Sequence, residues 1–132
     1  MTLSGTVLGG SATRFTESRL EATDCEGSYS VNVSLYEAGM PFDGDSIYVA
    51  WLDASILGGP GPALGIDVPV SVVWGSTAGP GGSITTTMHV EHADSLYPER
   101  PRRFVASLSV DRGSDRFELA FDFVYCSILI CI

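Results

Sequence analysis

The densest run of groups able to do chemistry is Thr87-Met-His-Val-Glu-His-Ala-Asp, which carries His89, Glu91, His92 and Asp94. On an extended strand, His89 and Glu91 share one face, roughly 7 Å apart along the chain. With a third ligand from a neighbouring strand, such a pair can chelate Zn²⁺. The motif is not HExxH, whose histidines need helical spacing. Strict alternation sends His89 and His92 to opposite faces, so a two-histidine site requires the strand to end or bulge at Glu91. The plainer expectation is a set of solvated strand residues.

Asp43-Gly44-Asp45 is a fragment of an oxygen-rich calcium loop. Counting Asp43 as the first position, an EF-hand needs a bidentate Glu where this chain has Ala54, so that reading fails. A looser Ca²⁺ site using Asp43, Asp45 and backbone carbonyls stands against an ordinary Asp-Gly turn. No cofactor is expected, with calcium at this loop as the alternative. GxSxG is absent, and no lysine exists for a P-loop or a Schiff base. Trp51, Trp74, Tyr48 and Tyr97 offer flat rings for sugar stacking. Both tryptophans lie in very hydrophobic segments, and core filling is the competing use.

Cys25, Cys126 and Cys131 are the three cysteines, so at most one intramolecular bridge can form. A bridge from Cys25 to Cys126 or Cys131 closes a loop of about 100 residues, worth up to about 4–5 kcal/mol through chain entropy. The alternative is three reduced, buried thiols. There is no CxxC pair, hence no zinc ribbon.

Composition excludes several classes. Acidic residues outnumber arginines 16 to 7, for a net charge of −9, and nucleic-acid binding is excluded because phosphate contacts need clustered cations. With 45% hydrophobic and 17% charged residues, intrinsic disorder is excluded too. The all-arginine cation set fits GC-rich bacterial coding, with salt adaptation as the rival explanation. The first residues carry no basic and apolar leader pattern, and no apolar run reaches the roughly 18 residues a membrane helix needs. If Cys25 is bridged, an extracytoplasmic or cell-surface setting is expected.

These groups must be positioned by strands, since period-2 alternation dominates the chain. Tyr29, Val31, Val33 and Leu35 alternate with small polar residues over 28–36, and Phe117, Leu119, Phe121, Phe123 and Tyr125 do so over 116–125. Segment 103–111 repeats the pattern. Further strands are predicted at 3–8, 47–53, 68–74 and 83–92, with 12–22 leaning towards a polar strand. The Gly/Pro-rich stretches 57–66 and 75–83 are predicted to be irregular, with a hairpin tip at 112–114. The expected fold is all-β: one domain over 1–132, an antiparallel β-sandwich of seven or eight strands, jelly-roll or Greek-key-like, with little or no helix.

The tail runs apolar to the end, with Ile128, Leu129, Ile130 and Ile132 clustered there. It is expected to be a paired strand, buried within the subunit or in an interface between copies. Three functional readings follow. The first is a non-catalytic structural or protein-interaction domain that self-assembles through its C-terminal strand. The second is a small-ligand or glycan-binding module using the loops 38–46, 57–66 and 75–82. The third is a metal-dependent enzyme around His89 and Glu91.

Overall fold

The alternating segments become strands of one sheet. The computed structural model describes residues 1–39, 44–59, 61–76, 79–96, 101–125 and 129–131. The strands are β1 (Thr2–Val7), β2 (Gly10–Ser11), β3 (Glu17–Cys25), β4 (Ser28–Tyr36), β5 (Ser46–Trp51), β6 (Ala63–Ser76), β7 (Gly79–Ala93), β8 (Arg102–Arg112), β9 (Asp115–Tyr125) and β10 (Leu129–Cys131). Two 3₁₀ turns, Ala12–Arg14 and Ser55–Gly58, are the helical elements among the described residues. The lateral order is β10-β3-β4-β5-β6-β7-β8-β9-β1-β2. From β3 to β9 each strand pairs antiparallel with the next, and β1 returns to pair with β9.

The protein is therefore all-β and almost wholly antiparallel, but its ladders form a single half-barrel sheet in place of the expected sandwich. The connections explain why. Cys25↔Ser28 and Arg112↔Asp115 are joined by two-residue loops, which return the chain immediately beside the strand it left. From β3 to β9 every strand pairs with the next in the chain, so the ladders run on as one sheet. It buries its apolar face by coiling on itself.

The strands also invade the stretches expected to be irregular. β6 starts at Ala63 and β7 at Gly79, making one long hairpin. The glycines serve close approach: a Cβ on Gly81 would lie 1.8 Å from the Trp74 carbonyl oxygen, and one on Gly82 would lie 2.5 Å from the Trp74 ring. Glycine lets β7 pass where any side chain would collide. Phe15 and Leu20 fit no single period because the chain changes from a 3₁₀ turn at Ala12–Arg14 to a strand at Glu17.

Inward residues from nearly every strand make one core: Val31, Val33 and Leu35 from β4, Ile47 and Val49 from β5, Val70 and Val72 from β6, Phe117, Leu119 and Phe121 from β9. Two contacts show the coil directly. The Trp51 and Phe104 rings meet at 5.8 Å across β5 and β8, and Trp74 packs edge-on against Phe117 at 5.5 Å across β6 and β9. Trp51 and Trp74 are 6% and 2% exposed. Asp115 locks the second contact. Its Oδ2 accepts from Trp74 Nε1 at 3.0 Å and its Oδ1 from the Leu8 N–H at 2.8 Å. Leu8 has φ 53, a left-handed conformation costly for a side-chain-bearing residue, and this bond helps hold it.

Asp115→Ala leaves the Trp74 N–H without its acceptor, and chemical denaturation is expected to show a loss of about 1–3 kcal/mol. The control Asp111→Ala, which removes an exposed ion pair with Arg116, is expected to cost less than about 1 kcal/mol.

Candidate functional site

The outer face of β6, β7, β8, β9 and β1 carries the histidines, and strand register determines which groups meet there. Asp67 stands opposite His89, His89 opposite Ser107, Ser107 opposite Ala120, and Ala120 opposite Thr2. These five residues form one lateral row across five strands. The next row holds Ser109, Glu118 and Ser4, and the one beyond it Asp111, Arg116 and Thr6.

Short side chains in the first two rows leave a valley. Ion pairs bound it, with Arg103 donating from Nε and Nη2 to both carboxylate oxygens of Asp122 at 3.2 and 3.1 Å on one side. On the other, Arg116 and Asp111 meet at 3.0 Å. The result is an open groove of about 620 Å³ lined by Thr2, Ser4, Ser107, Ser109, Glu118 and the Asp67–His89 pair, among others. A second hollow of about 380 Å³ adjoins it at the Arg116–Asp111 pair, sharing Ser4, Ser109 and Glu118 with the groove.

The groove also lies over a seam. β7 pairs with β6 along its length, whereas its ladder with β8 runs only from Ala93↔Phe104 to His89↔Ser107. Beyond that rung, residues 84–88 and 108–111 have no ladder pair across the seam.

A β-bulge sits at Glu91, where the register slips between Val90↔Ala106 and His92↔Val105. Gly65, with φ 60, accommodates the same irregularity on β6, whose pairs skip from Leu64↔His92 to Ile66↔Val90. The extra residue turns His92 outward, so His89 and His92 share the outer face. This corrects the expectation from strict alternation.

The two imidazoles are nevertheless used separately. His89 Nδ1 lies 2.8 Å from Asp67 Oδ1, and His92 Nε2 lies 2.9 Å from Asp94 Oδ1. Asp94 Oδ2 accepts the Arg103 N–H at 2.8 Å, joining His92 to the Arg103–Asp122 pair. That pair's hydrogen bonding holds the Asp122 carboxyl below its ordinary range and raises the Arg103 guanidinium. Glu91 is exposed at the bulge. Among the described residues, no group of three or more His, Cys, Asp or Glu is placed to hold a metal ion.

The other sequence candidates lie elsewhere. Trp51 and Trp74 are in the core and present no ring to solvent for stacking. Tyr48 stands on the outer face of β5, 39% exposed, with partial burial and then Glu21 pushing its phenol up. Tyr97 is outside the described residues. So is Asp43, while Asp45 Oδ2 accepts from Arg14 Nη2 at 2.5 Å. The Arg14 guanidinium, which also bonds Glu37, therefore supplies the cation at that carboxylate.

Cys25 is disulfide-bonded. Cys126 is outside the described residues, and Cys131 stands opposite Cys25 in the parallel pairing of β10 with β3. Leu129 and Ile130 belong to β10, and Ile128 and Ile132 lie outside the described residues. No helix among the described residues is long and apolar enough to cross a membrane.

No protein-family model, curated protein or solved structure matches this chain. The fold and the site define an all-β, single-sheet half-barrel with an open groove of mixed polar and apolar lining on its outer face.

Proposed function

We propose that this chain is a glycan-binding module whose binding surface is the outer-face groove. The observation that carries the reading is the groove's lining: hydroxyls from Thr2, Ser4, Ser107 and Ser109 beside the carboxylates of Asp67 and Glu118. Sugar hydroxyls donate and accept at once. Carboxylates take their protons in strong charge-assisted bonds, while serine and threonine hydroxyls rotate to serve either role. An open trough suits an extended oligosaccharide better than a compact apolar ligand, which needs an enclosed, largely apolar pocket. Recognition thus sits on strands, whereas the sequence pointed to the Gly/Pro-rich loops. The Cys25 disulfide agrees with a protein working in an oxidising compartment, outside the cytoplasm.

Ala120 is exposed in the first row between Ser107 and Thr2, so Ala120→Tyr fills the trough without entering the core. On an array of neutral oligosaccharides, the native chain is expected to retain a defined subset and the variant to lose it at least tenfold, with an unchanged melting temperature. Retention equal to native in the variant contradicts the reading.

A second reading rests on the sheet edge. β10 is the outermost strand beyond β3, and among the described residues it pairs with β3 at Thr23, Asp24 and Cys25. Self-association there uses main-chain hydrogen bonds from one copy's edge to the next. Light scattering is expected to give a dimer or larger species that becomes monomeric when residues 128–132 are removed. A native monomer at high concentration contradicts it.

A further inference from the structure

We propose that the row Asp67–His89–Ser107 is a nucleophilic site that hydrolyses small carboxylic esters, an inference resting on the groove being the ligand surface. The three residues come from three successive strands and are 22 and 18 positions apart in the chain, so no local motif announces them. Register alone aligns them. Asp67 Oδ1 at 2.8 Å from His89 Nδ1 fixes the ring, with Nδ1–H as donor and Nε2 left as acceptor. The ring edge opposite Nδ1 carries Cδ2 and Nε2. Asp67 holds Nδ1 on the β6 side, and Ser107 is the residue that register sets opposite His89 on the other side, on β8. In this resting state Ser107 Oγ makes no hydrogen bond to the ring, and rotation about its χ1 is the movement the row requires.

The seam adds a further element. Successive main-chain N–H groups on a strand alternate sides, so either Leu108 or Ser109 directs its N–H at β7. The ladder has already stopped at Ser107, and neither residue has a ladder pair on β7. A donor one or two residues from the nucleophile is placed to meet the oxyanion of a tetrahedral intermediate.

The chemistry balances without an added reagent. Ser107 Oγ attacks the acyl carbon while His89 Nε2 takes its proton. The C–O bond to the leaving alcohol breaks and the alcohol receives that proton, leaving acyl-Ser107. Water, deprotonated by His89, then releases the carboxylic acid and restores the hydroxyl. Esters carried on a sugar hydroxyl are the substrate class that both the lining and the row accommodate.

The test is labelling of the intact protein with a fluorophosphonate, which forms an Oγ–P bond on an activated serine and releases fluoride. Peptide mass analysis is expected to find the adduct on Ser107. His89→Gln is expected to slow labelling about 100-fold. Asp67→Asn is expected to lower the maximal labelling rate while leaving the half-saturating probe concentration unchanged, as a positioning residue should. All three side chains are solvent-exposed, and the variants are expected to melt with the native protein. No adduct on Ser107, or equal labelling in His89→Gln, overturns the proposal. If such a chain still retains its oligosaccharide, this inference falls alone and the binding reading stands.

Discussion

The half-barrel depends on a contact between strands that are not neighbours. Trp74 on β6 reaches over the core to the Phe117 ring on β9, and its indole N–H ends on Asp115. A one-faced meander exposes its apolar side unless something holds its halves together, and burying such side chains is worth about 1.5–3 kcal/mol each. The same carboxylate takes the Leu8 N–H, so the β1–β2 turn is tied to the closure as well. Along β7 the cost is local: Gly81 and Gly82 must stay bare where that strand passes Trp74.

The outer face inherits its shape from this coil. β7 follows β6 along the whole hairpin, while β8 turns with β9, so their shared ladder ends at His89↔Ser107. Short outward residues on β8, β9 and β1 then leave a trough between the Arg103–Asp122 and Arg116–Asp111 pairs. The bulge at Glu91 acts within that short ladder, turning His92 outward into contact with Asp94. A filled core and a shaped exterior are thus two consequences of one bend.

Much of the fold was legible because alternation is a local signal. Segment 28–36 reads as a strand from its own residues, and β4 spans Ser28–Tyr36. Segments 103–111 and 116–125 fall within β8 and β9. Stretches 57–66 and 75–83 misled because glycine is ambiguous, marking a turn or a close approach with the same letter. The number of sheets was not legible, since alternation says that a face is buried but not against what. The site was legible only in part. His89 stood out by type, but its neighbours Asp67 and Ser107 come from register, and register belongs to pairs of strands. Trp51 and Trp74 looked suited to stacking or to a core, and only the coil decides.

Hydrogen exchange of individual backbone amides tests this architecture most directly. If the β7–β8 ladder stops at His89↔Ser107, residues 84–88 should alternate, with N–H groups directed at β6 exchanging slowly and those directed at β8 exchanging fast. Residues 108–111 should alternate likewise, protected only on the side of β9. Uniformly slow exchange through both segments would mean a continuous ladder with no seam beneath the groove, and would contradict the account.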